Sequence, residues 1–135
     1  MAGTLAYLGN TYLLSGNHEL AESSLATALL LFQGADDPGG EAETMNLYAA
    51  LALAAGEPQE AHLRHVRALR IARRISSAKD EADAIDGIAR CWQAEGNIAS
   101  VRCLYSKALA LYEALPSPAD AARVRATLDE LPSEA

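Results

Sequence analysis

The chain has 135 residues, 50% apolar, 21% charged and 5% aromatic, and its 11 Lys and Arg against 18 Asp and Glu give a formal charge of −7. A chain this long buries roughly 70% of its unfolded surface, so one domain forms without metal or disulfide, and disorder is excluded. The acidic balance disfavours bulk binding to nucleic acid or an anionic membrane, and no run approaches the roughly 20 apolar residues of a membrane span. Cys91 and Cys103, with no C-x-x-C pair and no His at zinc-finger spacing, exclude a disulfide scaffold and a structural zinc site. They point to a reducing compartment. The opening Met1-Ala2-Gly3-Thr4-Leu5 lacks the basic segment of a signal peptide, so the expected location is the cytoplasm.

Apolar residues recurring at three- and four-residue steps predict seven helices, spanning roughly 3–15, 18–33, 41–55, 58–75, 78–95, 98–115 and 118–131. The first has Leu5, Leu8 and Tyr12 on one side with Leu13 beside them, and Tyr7 and Leu14 on the other. Such a helix expects burial on more than one face. Either the chain is the tail of a longer array or a second copy covers Tyr7 and Leu14. Gly16 ends this helix, where a left-handed C-cap costs glycine nothing. The run from Gly34 to Gly40 reads as a plain loop, and Pro58 suits the first turn of the fourth helix. That helix carries Arg64, Arg67, Arg70 and Arg74 within about 120° of arc. Ser77-x-x-Asp80 opens the fifth helix as a capping box. Ser117-Pro118 starts the seventh, whose Ala121, Val124, Leu128 and Leu131 form one apolar stripe beneath a charged outer face.

A period of 40 runs through these elements. Gly16, Gly56 and Gly96 coincide under that shift, as do Ala28-Leu29, Ala68-Leu69 and Ala108-Leu109, and the small residues Ala21, Ala61 and Val101. Each unit is therefore two helices joined at its glycine. The units span about 2–40, 41–80 and 81–117, and helix 118–131 serves as the polar cap that an end unit needs.

At these residues the chain resembles the tetratricopeptide repeat. Leu5, Leu8-Gly9, Tyr12, Ala21, Leu25 and Ala28 follow the repeat's pattern best, with Met45, Tyr48-Ala49, Ala52, Ala61, His65 and Ala68, then Ile85, Ile88-Ala89, Trp92, Val101, Tyr105 and Ala108, as later copies. Departures are the period of 40 in place of 34, no Trp at the first position and no closing Pro. The resemblance implies an all-α, right-handed superhelix of three helical hairpins plus a C-terminal capping helix. The long repeat and the texture of Ala68–Arg74, Ala84–Ala89 and Ala108–Tyr112 are also similar to the C-terminal repeats of large actinobacterial transcriptional regulators.

Family geometry implies a concave groove lined by the first helix of each unit: Ala6, Asn10 and Leu13, then Asn46, Ala50 and Leu53, then Asp83, Asp86, Arg90 and Gln93. Asn10 and Asn46 suit clamping a peptide backbone, since an amide both donates and accepts. Leu13 and Leu53 suit an apolar side chain. Each position is equally readable as a solvated helix surface, and Asp86 with Arg90 as an exposed i,i+4 ion pair. A chaperone-tail clamp is disfavoured, because Asp83 stands where a cation is required. The arginine stripe is either a dock for an acidic partner or a solvated convex face paired with Glu57, Glu60 or acids of the next unit.

His62 and His65 lack a third ligand at a convincing spacing, and His65 falls where the repeat places a large buried residue, so a core or interface histidine is favoured. His18-Glu19-Leu20-Ala21-Glu22 misses the second histidine of a zinc protease. Cys91 and Cys103 read as buried or half-buried thiols, and Trp92, Tyr105 and Tyr112 as core. No base and nucleophile stand at matched positions, so no enzyme, cofactor or metal site is expected. The expected function is a non-enzymatic module that binds a protein, a peptide or another region of a parent bacterial regulator. The alternatives are a homodimerisation module and a segment sensing a peptide or small ligand.

Overall fold

A computed structural model describes residues 1–132. They form seven helices: α1 (Ala2–Leu14), α2 (His18–Gly34), α3 (Pro38–Ala54), α4 (Pro58–Arg74), α5 (Ala78–Ala94), α6 (Val101–Glu113) and α7 (Pro118–Glu130). Five of the six turns between them are copies of one motif. Gly16, Asp36, Gly56, Ser76 and Gly96 all adopt positive φ, between 52° and 81°. At each turn two amides reach back into the last helical turn. Asn17 N–H donates to the Tyr12 carbonyl at 2.8 Å and Gly16 N–H to that of Leu13 at 3.1 Å, with the same pairing at the other four. These residues recur every 20 positions, so the period of 40 is two helices and two three-residue turns.

The next helix starts at once because its first amides find acceptors. Asn17, Asp37 and Ser77 cap through their side chains, accepting from Leu20, Gly40 and Asp80 N–H. Pro38, Pro58 and Pro118 occupy first turns, where no amide hydrogen is needed. This shortens the loop expected at 34–40. Only Ala35, Asp36 and Asp37 lie outside helix, and Pro38-Gly39-Gly40 is already the first turn of α3. The sixth helix is shorter than the expected 98–115. Asn97 makes no capping bond, and the chain closes a separate turn through Val101 N–H to the Ile98 carbonyl at 3.2 Å before α6 begins.

Each helix packs chiefly on its neighbours in sequence, and α1 also meets α3 while α3 meets α5. That arrangement is a stack of hairpins with first helices along one face and second helices along the other. The repeat positions Ala21, Ala61, Val101, Ala28, Ala68 and Ala108 are fully buried, since only small side chains let paired helices approach this closely. Tyr105 and Tyr112 are the largest fully buried side chains, while Trp92 is only half-buried. Cys91 is buried but Cys103 is exposed, against the expectation that both would be covered. Ala121 and Val124 of the seventh helix, with Leu131 just beyond its end, close the stack in one cluster with Tyr105 and Tyr112. Among the described residues there is no strand, and no helix is long and apolar enough to cross a membrane.

Candidate functional site

The first-helix face carries a cavity of about 500 Å³ between α3, α5 and α7, floored by His65 of α4. Of the expected lining it brings together Asn46, Ala50, Asp83, Asp86 and Arg90. Glu43, Leu47, Lys79, Asp80, Gly87 and Arg123 complete the wall.

Asn46 is buried and both ends of its amide are engaged. Its Nδ2 donates to the Asp80 carbonyl at 3.1 Å, and its Oδ1 accepts from His65 Nδ1 at 2.8 Å. The backbone clamp expected of Asn46 is thus turned inward, tying α3 to α4 and α5. Burial lowers the His65 pKa to about 4, with the Arg90 and His62 charges adding to the effect, so the ring is neutral at neutral pH. It lies flat on Gly87, where a Cβ would fall 2.2 Å from two ring atoms. Glycine at 87 is what allows the imidazole to fill the space between α4 and α5.

Asp86 departs furthest from expectation. It is not an exposed partner of Arg90 but a buried carboxylate, 4% exposed. Its Oδ2 forms ion pairs with Arg90 Nη2 at 3.1 Å and with Arg123 Nη1 of α7 at 3.0 Å, while Oδ1 has no hydrogen-bond partner among the described residues. Burial raises its carboxyl above the ordinary value, and the two guanidiniums oppose that shift. The bridge across α5 and α7 could not be read locally, because Arg123 lies 37 positions away from Asp86. A signal was nevertheless present. Glu43, Asp83 and Arg123 are equivalent under the 40-residue shift, so extending the repeat into the terminal helix places Arg123 on the groove. Beside it, Asp83 accepts from the Tyr112 hydroxyl and from Lys79 Nζ, the latter at 2.7 Å. Burial and the Asp83 carboxylate raise the Tyr112 pKa.

The remaining expected residues lie elsewhere. Ala6 and Asn10 line a smaller cavity of about 160 Å³ with Gly3, Tyr7, Phe32, Glu43, Thr44 and Leu47. Leu13 packs against Ala21, Leu25 and Leu51, and Leu53 against Ala52, Ala61 and Cys91, so both are committed largely to the core. Gln93 accepts from the Tyr105 hydroxyl at 2.8 Å. On the second-helix face the arginine stripe is divided. Arg64 stacks 3.7 Å above the Tyr48 ring, donates to the Tyr48 carbonyl and pairs with Glu60, whereas Arg67, Arg70 and Arg74 are exposed and without ion pairs among the described residues. His62 accepts from Trp92 Nε1 at 3.0 Å and stacks on that indole. Tyr7 and Leu14 are 71% and 81% exposed.

Comparison with known proteins agrees with this geometry. The profile described as tetratricopeptide repeat matches residues 1–74. Among solved structures, the TPR domain of Arabidopsis FLU superposes with a TM-score of 0.74 at 25% identity, over 84% of this chain and 96% of that one. No curated protein matches the chain.

Proposed function

Because the chain belongs to the tetratricopeptide repeat family, we propose that it is a non-enzymatic module which holds an extended peptide of a partner protein along α1, α3, α5 and α7. The observation that supports this reading is the preformed groove. Its walls are tied by a buried hydrogen bond from His65 to Asn46 across α4 and α3 and by the ion pairs of Asp86 with Arg90 within α5 and with Arg123 of α7, so little ordering remains to be done when a ligand enters. Ala50 is the position at which to test it, since it lines the cavity without belonging to that network. Ala50→Trp fills the groove and is expected to abolish partner capture while leaving helicity and melting temperature near those of the parent. Retention of every captured partner by this variant would refute groove binding.

A second reading is self-association through the first hairpin. It is favoured by α1, which carries no charged residue, and by the exposed Tyr7, Leu14 and Leu30. Leu14→Glu then dissociates the oligomer in sedimentation without loss of helix; a monomeric parent at high concentration refutes it. We further place the module in the cytoplasm, as the C-terminal array of a bacterial transcriptional regulator. The long repeat supports this, and Arg67, Arg70 and Arg74 offer a docking edge for an acidic region of the same protein.

A further inference from the structure

We infer that the groove seats a cationic side chain, Lys or Arg, of the bound peptide against Asp86 and Glu43. The inference rests on the peptide-binding reading and names the chemistry of its ligand. Three cations line the cavity, and all are committed. Lys79 holds Asp83 at 2.7 Å, Arg90 holds Asp86 at 3.1 Å, and Arg123 is shared between Asp86 and Asp120. His65 adds no positive charge at neutral pH, its burial having lowered its pKa.

The acceptors are left in excess. Among the described residues, Glu43 is exposed and in no ion pair, and the Asp80 carboxylate has the Ser77 hydroxyl as its only side-chain hydrogen-bond partner. Asp86 supplies the decisive atom. Its side chain is 6% exposed, it lines the cavity, and Oδ1 has no donor among the described residues. A buried acceptor left unmade is costly, and a charged donor brought by a ligand relieves that cost while gaining a charge-assisted bond. Arg90, whose side chain is 44% exposed, is the wall able to tilt outward and admit it. An acidic ligand meets the reverse situation. To bind Arg90 or Arg123 it must draw them from Asp86 and strand a buried carboxylate.

The test uses the intact protein and four pools of short synthetic peptides, degenerate except for a fixed central Lys, Arg, Gln or Glu. Binding is followed by fluorescence anisotropy and by the amide shift of Gly87, which lies in the groove wall. The Lys or Arg pool is expected to bind about tenfold more tightly than the Gln and Glu pools, as one charge-assisted hydrogen bond implies. Asp86→Asn is expected to remove that preference. Glu43→Gln, an exposed change that leaves folding intact, is expected to reduce it about threefold; if Asp86→Asn fails to fold, this variant alone decides. A Glu or Gln pool that binds as well as the cationic pools, with Gly87 shifted, overturns the inference and leaves peptide binding standing. No Gly87 shift with any pool overturns both.

Discussion

Gly87→Ala tests the packing that shapes the groove. The added methyl falls 2.2 Å from His65 Cε1 and Nε2 and 2.6 Å from Cδ2, where carbon atoms normally sit roughly 3.5–4.0 Å apart. The ring must therefore retreat by more than about 1 Å. It cannot swing freely, because Nδ1 is held by Asn46 at 2.8 Å and Asn46 is itself held by the Asp80 carbonyl at 3.1 Å. Overpacking of this kind costs about 1–3 kcal/mol, and weakening the buried hydrogen bond adds about 1 kcal/mol. Alanine recovers up to about 1 kcal/mol through its better helix propensity. The expected result is a net loss of about 1–3 kcal/mol, read as a lower urea midpoint at unchanged slope. In a His65→Ala background the clash is gone, and the same substitution becomes neutral or stabilising by the propensity gain, giving a coupling energy of roughly 2 kcal/mol between the sites. A Gly87→Ala protein at least as stable as the parent, or an equal loss in both backgrounds, refutes the proposed contact.

His65 also predicts a pH dependence. Its folded pKa of about 4 lies below the ordinary 6.5, so the unfolded chain takes up the proton first and stability falls as pH drops through that window, by on the order of 3 kcal/mol. Denaturation at several pH values should show this loss in the parent and not in His65→Gln. The turns make an asymmetric prediction. Gly56→Ala places a side chain at φ +81° with open space around it, so backbone strain alone lowers stability, by about 1–2 kcal/mol. Ser76→Gly and Asp36→Gly, at φ 58° and 52°, relieve the same strain and should raise the melting temperature. Finally, Asn46→Ala leaves the buried His65 Nδ1 without its acceptor and removes the added bond to the Asp80 carbonyl, and should cost about 1–3 kcal/mol in urea unfolding, whereas Asn10→Ala, which breaks no side-chain hydrogen bond among the described residues, should cost little.

The seven helices, their hairpin pairing and the small residues that let them close are all legible in the amino-acid pattern. Those features depend on neighbours within about one helical turn and on a period of 40 that repeats the same local chemistry. The family resemblance, not local pattern, put Asn46, Ala50, Asp83, Asp86 and Arg90 on the first-helix face, where they line the cavity between α3, α5 and α7. What those side chains do depends on which helices come to face them. Asp36 and Ser76 repeat the glycine turn without glycine, because the cap geometry is imposed from both flanking helices and tolerates a polar residue there at some strain. Asn46 and Asp86 share a helical face with solvated neighbours in any sequence-based view, yet both are buried, since His65 and Arg123 reach them from helices whose approach no local pattern encodes. Periodicity tells which side of a helix faces inward. Whether an inward polar group meets a partner or is left with a free lone pair depends on distances between helices, which packing alone sets.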